Sequence, residues 1–195
     1  FVLAVGGGSV IDSAKAIAMG VATKTDPWQF ASTGTKPDTT LPVGTVLTLA
    51  ASGSESSNSC VLTNEETKEK RGITSETNRP RISFLDPENT YTVSKFQTGC
   101  GIVDIMMHTL ERYLTPEGGE SDITDRIAEG LLIAVRDAGR RAIANPRDYE
   151  ARASLMWAGS VSHNDYTGCG RKRLFPVHKL EHELSAFRDE IAHGA

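Results

Sequence analysis

The chain has 195 residues, 38% of them hydrophobic and 24% charged, with a net charge of −4 at pH 7. These values suit a globular protein with one large or two small cores, and they exclude a broad basic surface for nucleic acid or an anionic membrane. No apolar segment reaches the roughly 20 residues that span a bilayer, and no charged leader precedes an apolar run, so the expectation is a cytoplasmic protein acting on small molecules.

Phe1 to Val5 is a continuous apolar run ending in glycine, which predicts a strand buried on both faces of a parallel sheet. Ile11, Ala14, Lys15, Ala18 and Met19 then recur at helical spacing, with Ser9 as N-cap, Asp12 as its capping partner and Gly20 as the stop. A polar loop with Pro37 and Asp38 leads to a second buried strand, Val43 to Ala51, and then to the small polar loop SGSESSNS. Cys60 to Thr63, Gly72 to Thr74 and Ile82 to Leu85 read as short strands.

From Gln97 onward the pattern is amphipathic and helical: GIVDIMMHTLERYL, ITDRIAEGLLIAVRDAGRRAIA, then YEARASLMWAGSVSHN, with Gly118-Gly119 and Asn145-Pro146 marking connections. This places a boundary near residue 97, between a partial α/β dinucleotide-binding domain over 1–96 and a partial all-helical domain over 97–195. Trp28 and Trp157 read as packing residues and His163 as a solvated or capping residue. Cys60, Cys100 and Cys169 are widely spaced, which predicts buried free thiols in place of a disulfide framework or a thiolate zinc site. The chain opens inside a strand and breaks off after His193-Gly194-Ala195, so it reads as an internal segment of a longer protein.

Two features carry chemistry. The GGGS turn of Gly6, Gly7, Gly8 and Ser9 joins a strand to a helix, where backbone N–H groups and the helix N-terminus can receive a phosphate. It lacks the Lys-Ser/Thr of a P-loop and does not fit GxGxxG, so a plain tight turn is an equal reading of the loop by itself. Asp104 and His108, four apart, project from one helix face, and His178, His182 and His193 follow in HKLEHELSAFRDEIAHG. A carboxylate and several imidazoles on two segments are the donors of a divalent metal site for Fe2+ or Zn2+.

The stretches GGGSVIDSAKAIA, TLAASGSE, VLTNEETKEKRGI, DPENTYT, QTGCGIVDIMMHTLERYLTP, MWAGSVSHNDYTGCG and HKLEHELSAF cover nearly the whole chain, and in this order they resemble the iron-containing (group III, metal-dependent) alcohol dehydrogenases, most of all their butanol dehydrogenase branch. The resemblance implies a dehydroquinate synthase-like architecture: an α/β nucleotide-binding domain, an all-α metal-binding domain, and an active site in the cleft between them. It implies that Gly6, Gly7, Gly8 and Ser9 hold the pyrophosphate of NAD(H) or NADP(H), that Thr48, Ser52 and Ser57 line the cofactor cleft, and that Lys70 reaches the ribose or nicotinamide side. Ser52 stands where the family usually has Thr. Asp104, His108, His178 and His193 are the implied metal ligands, and His182 the group beside nicotinamide and substrate that relays a proton, as an imidazole titrating near neutrality. The implied reaction is hydride transfer between a small alcohol or aldehyde and the nicotinamide, assisted by the metal, in a protein that is a homodimer when complete. The branch inclines the expectation towards NADP.

The chain departs from the family pattern after GCGR, where it reads KRLFPV, and between Ala186 and His193, which is one residue longer than usual. An extra residue turns a helical side chain by about 100°, which would swing His193 away from the other ligands. Two rival readings follow: a truncated, catalytically impaired remnant of the family, and a lyase of the dehydroquinate synthase type, which would need a pocket lined by Lys and Arg.

Overall fold

A computed structural model describes residues 1–115, 118, 121–188 and 190–195; Gly119 of the Gly118-Gly119 connection lies outside them. Strand β1 (Val2–Gly6) enters helix α1 (Gly8–Thr23), and a short helix α2 (Pro27–Thr33) precedes β2 (Val43–Leu47). An antiparallel hairpin of β3 (Ser59–Asn64) and β4 (Glu69–Thr74) comes next, then β5 (Ile82–Phe84). The rest is helical: α3 (Lys95–Tyr113), α4 (Asp122–Ala144), α5 (Tyr149–His163) and α6 (Pro176–Phe187). The protein thus has an α/β part followed by an all-helical part.

β1, β2 and β5 form one parallel sheet in that order, with Val2 opposite Val43 and Gly44 opposite Ile82. The expectation that β1 is buried on both faces is corrected. Ala4 packs with Ile11, Ala14 and Ala18 of α1, but Leu3 and Val5 are exposed on the opposite face, in register with the exposed Ile82 and Phe84. Helix α1 covers only one side of the sheet, and no other described element covers the second side.

Local chemistry corrects several element ends. Helix α1 begins at Gly8 with Gly7 as N-cap, so Ser9 lies inside the first turn and caps nothing. The helix runs through Gly20 to Thr23 and is closed by Lys24 at φ 54°. Gly20 remains helical because α2 packs there: a Cβ would meet Pro27 Cγ at 3.2 Å, and this close packing outweighs the roughly 1 kcal/mol helix cost of glycine. The segment read as a polar loop contains α2, whose start is capped by Asp26 accepting from the Trp28 N–H at 2.9 Å and whose end is Gly34 in the left-handed conformation. Strand β2 stops at Leu47, and residues 48–58 run as a loop.

In the helical part Ile105, Val135, Ala138, Ala142, Ala151 and Leu155 bring α3, α4 and α5 together. Burying each large aliphatic side chain there contributes roughly 1.5–3 kcal/mol. Met156 of α5 points the other way, into the core of the sheet and α1, and so ties the two parts together. Its neighbour Trp157 is exposed and is not a packing residue. Among the described residues, no helix is long and apolar enough to cross a membrane. The three cysteines are free; Cys60 and Cys100 are buried, whereas Cys169 is exposed, against expectation.

Candidate metal centre and cofactor cleft

Helix α3 presents Asp104 and His108 one turn apart on its buried side, and α6 brings His178 against them. Ligand atoms of Asp104, His108 and His178 all lie within 4.8 Å of one another. Asp104 Oδ1 is 3.2 Å from His178 Nε2 and 3.3 Å from His108 Nδ1. His193 Nε2 is 3.3 Å from the same oxygen. Helix α6 ends at Phe187, and His193 approaches from the turn beyond it, not from the helix face, so the expected swing away from the other ligands does not occur. Gly194 makes that turn possible, since it has φ 82° and a Cβ on it would lie 2.3 Å from the Cys100 carbonyl of α3.

Charge in this cluster is strongly perturbed. Burial alone would raise the Asp104 pKa, but His108, His178 and His193 hold it well below the usual carboxylate range. Burial pushes His108 down to about 3 despite Asp104, so its ring is neutral and free to donate a lone pair. Burial also opposes a charge on His178 and His193; hydrogen bonds to Asp104 and to Glu111 or Glu181 outweigh it, raising His178 and lifting His193 to about 9. Asp104 Oδ2 is buried without a hydrogen-bond partner, as is His108 Nδ1. A buried carboxylate oxygen and a neutral imidazole left unpaired side by side, within a set of one carboxylate and three imidazoles, fit a divalent cation.

Glu111 of α3 completes the arrangement and escaped the sequence reading. It is buried, and its Oε2 accepts from His178 Nδ1 while its Oε1 accepts from the Val177 N–H at 2.6 Å. That fixes His178 with Nε2 aimed at Asp104, the outer-shell support a metal-binding histidine usually has. The i, i+4, i+7 spacing of Asp104, His108 and Glu111 was the available signal.

His163 is not the solvated residue expected. Its ring lies 4.2 Å from that of His108, and burial with His108 alongside drives its pKa well below the ordinary value. Arg112 Nη2 approaches its Nδ1 at 3.3 Å and Ser59 Oγ its Nε2 at 3.0 Å. Since arginine only donates, Nδ1 accepts and Nε2 carries the proton towards Ser59.

These histidines open on a cleft of about 380 Å³ that also takes in His182, Ser52, Ser57 and Phe175. Phe175, at φ 47°, caps the start of α6 and lies with its ring 4.7 Å from the Arg112 guanidinium carbon. His182 is half-buried, its ring 5.9 Å from that of His193. Burial first, and Lys70 second, lower its pKa to about 4, so the expected titration near neutrality is corrected: the ring is neutral at ordinary pH.

Gly6, Gly7, Gly8 and Ser9 stand at the junction of β1 and α1, outside the residues that line this cleft. Ser52 closes over Gly8, where a Cβ would come 2.4 Å from Ser52 Oγ, so a side chain at position 8 would have to displace the serine loop from the start of α1. Thr48 follows β2, with its N–H on the Gly6 carbonyl at 3.1 Å. Ser57 is buried, its Oγ 3.4 Å from Lys15 Nζ. Lys70 sits on β4 and donates to Ser185 Oγ at 2.8 Å, 3.9 Å from Glu181 Oε2, so its ammonium is bound to α6 and does not stand free in the cleft.

Known proteins resemble this chain in sequence and fold. NADH-dependent butanol dehydrogenase A of Clostridium acetobutylicum is 45% identical over 193 residues, covering 99% of this chain and 49% of that protein. The NADPH-dependent aldehyde reductase YqhD of Escherichia coli is 40% identical, covering 95% and 49% respectively. The crystal structure of NADH-dependent butanol dehydrogenase A from Thermotoga maritima superposes with a TM-score of 0.93 at 42% identity, over 98% of this chain and 48% of that one. The chain therefore spans about half the length of the curated relatives it matches. The sequence profile of iron-containing alcohol dehydrogenase matches residues 1–87, and that of the C-terminal part of the Fe-containing alcohol dehydrogenase family matches residues 98–195. These two matches together take in most of the chain, which therefore belongs to the iron-containing alcohol dehydrogenase family.

Proposed function

We propose that this chain carries the cofactor and metal sites of a nicotinamide-dependent alcohol dehydrogenase or aldehyde reductase acting on small alcohols. The observation that carries the reading is the buried carboxylate of Asp104, with one oxygen unpaired, within 3.3 Å of three imidazoles that open on a cleft lined also by Ser52, which packs on Gly8 of the glycine turn.

Asp104, His108, His178 and His193 would hold Fe2+ or Zn2+, which when bound supplies a Lewis acid that acidifies an alcohol hydroxyl or polarises an aldehyde carbonyl. Glu111 keeps His178 in one tautomer and orientation. Gly6, Gly7, Gly8 and Ser9 offer the free N–H groups at the start of α1 to a pyrophosphate, with Thr48, Ser52 and Ser57 placing the loop around it. Val61, Leu174 and Phe175 give the cleft an apolar wall that favours a small aliphatic substrate. His182, neutral and half-buried, offers a lone pair to the substrate hydroxyl and passes its proton to solvent. A dehydroquinate synthase-type lyase would need a pocket lined by several Lys and Arg; here the cleft is lined by Lys179 and by an Arg173 that is bound to Asp165 and Asn58.

The test uses the natural full-length protein, freed of metal and reloaded with Fe2+ or Zn2+. Butanol oxidation and butyraldehyde reduction with NAD(H) or NADP(H) are expected to vanish on chelation and return with metal; turnover unaffected by thorough chelation overturns the proposal.

A further inference from the structure

Helix α1 carries a buried charge for which hydride transfer has no use. Lys15 is only 1% exposed. Its ammonium lies 2.7 Å from Ser54 O, 3.1 Å from Ser57 O and 2.8 Å from Ser59 O, with Ser54 Oγ at 2.9 Å. An ammonium has three N–H bonds to give, and three main-chain carbonyls of the SGSESSNS loop converge on them. One turn earlier on the helix, Asp12 accepts from Ser54 Oγ at 2.5 Å and from the Val61 N–H at 2.9 Å. The second turn of α1 thus grips the loop and the start of β3 through one cation and one anion.

Stability gives a poor reason for this pair. Taking two ions out of water costs several kcal/mol each, and replacing a buried pair by apolar groups of similar volume is often neutral or stabilising. What the ammonium does determine is the course of the loop. Residues 52–58 have no helix or strand ladder, so without Lys15 the carbonyls of the buried Ser54 and Ser57 lose their donor and must turn towards water. The same loop lines the cleft through Ser52, Ser54, Ser57 and Ser59. Ser52 closes over Gly8 at the α1 N-terminus, and Ser59 Oγ meets His163, whose ring packs on His108.

We propose that Lys15, with Asp12 as its counter-charge, is a positioning residue that fixes the serine loop over the N-terminus of α1 and thereby sets the affinity of the cleft for the pyrophosphate of a nicotinamide dinucleotide. It rests on the dinucleotide reading above. Lys15 touches no substrate atom; it acts through Ser52, Ser54 and Ser57.

The test compares Lys15→Met with wild type in the natural full-length protein. Binding of NADH and NADPH is followed by the fluorescence of the reduced nicotinamide, beside steady-state kinetics and amide hydrogen exchange of residues 52–59. Expected are a dissociation constant and cofactor KM about tenfold higher, equivalent to about 1.4 kcal/mol of lost cofactor binding. The kcat and the alcohol KM are expected to change far less, and faster exchange to be confined to the loop. Should Lys15→Met not fold, Ser54→Ala removes the hydroxyl shared by Lys15 and Asp12, and a smaller, selective rise in the cofactor constant is expected. Unchanged cofactor affinity in either folded variant overturns the proposal, as does a loss of stability accompanied by equal losses in every kinetic constant. Wild-type protein that binds neither dinucleotide overturns the dinucleotide reading itself, and that result appears before any variant is made.

Discussion

Replacing Glu111 by Gln tests whether the second helix of the metal centre is aimed by a buried carboxylate. Both groups that Glu111 faces are donors: the Val177 N–H and His178 Nδ1–H. A carboxylate accepts from both, whereas an amide of the same shape has one acceptor and must turn its NH2 towards one of them. Val177 cannot change its donor, so the conflict falls on the His178 ring, which either loses its tautomer or rotates. Outer-shell partners of metal-binding histidines are typically worth 10- to 100-fold in metal affinity, or about 1.4 to 2.8 kcal/mol. Because the site is buried, the metal-free fold is also expected to lose about 1–3 kcal/mol for the mismatched donor. The assay is competition for Zn2+ between protein and a chromogenic chelator, with thermal unfolding of both forms as the control. Affinity within threefold of wild type, in a folded variant, would refute the role given to Glu111.

Two further outcomes follow. In the metal-free protein His193 is raised to about 9 and so carries a proton at neutral pH that a cation must displace, and the upward shift of His178 adds to that competition. Metal affinity is therefore expected to climb from pH 6.5 towards pH 9, with proton release seen by calorimetry in two buffers of different ionisation enthalpy; pH-independent uptake without proton release would count against it. By the same linkage, the raised His193 stabilises the metal-free fold fully below about pH 6.5, and that contribution is lost as pH rises through about 9, so the metal-free melting temperature should fall over this range. Of the three thiols, Cys169 is exposed, whereas Cys60 is buried and pushed up by that burial, and Cys100 is buried. One equivalent of an aromatic disulfide reagent is expected to react in the native chain and three in denaturant; rapid reaction of Cys60 without unfolding would contradict the packing of β3 on α1.

The parts of the site written in short-range patterns were legible in the sequence. Asp104 and His108 announce themselves by spacing on one helix, and the GGGS turn by its place between an apolar run and a helical one. Features created by chain segments meeting in space were not. His163 ends α5 and reads as a surface turn residue until α5 packs beside α3 and sets its ring on His108. Lys15 fits the apolar face of α1 by position, and only the folded loop supplies the carbonyls that make its burial tolerable. The reach of His193 depended on a turn after Phe187, which helical periodicity does not foretell. Helix α2 is a different kind of miss: Asp26, Pro27 and Gly34 are start and stop signals, but seven residues are too few to show a periodicity.

The central claim is that one divalent cation is held by Asp104, His108, His178 and His193. Its most direct test is anomalous diffraction, above and below the iron edge, from crystals of the natural protein grown anaerobically with Fe2+. The account predicts a single strong peak per chain, in contact with these four side chains, that disappears in His178→Ala. A metal bound elsewhere, or a fully ordered cluster with no anomalous peak after loading, would contradict it.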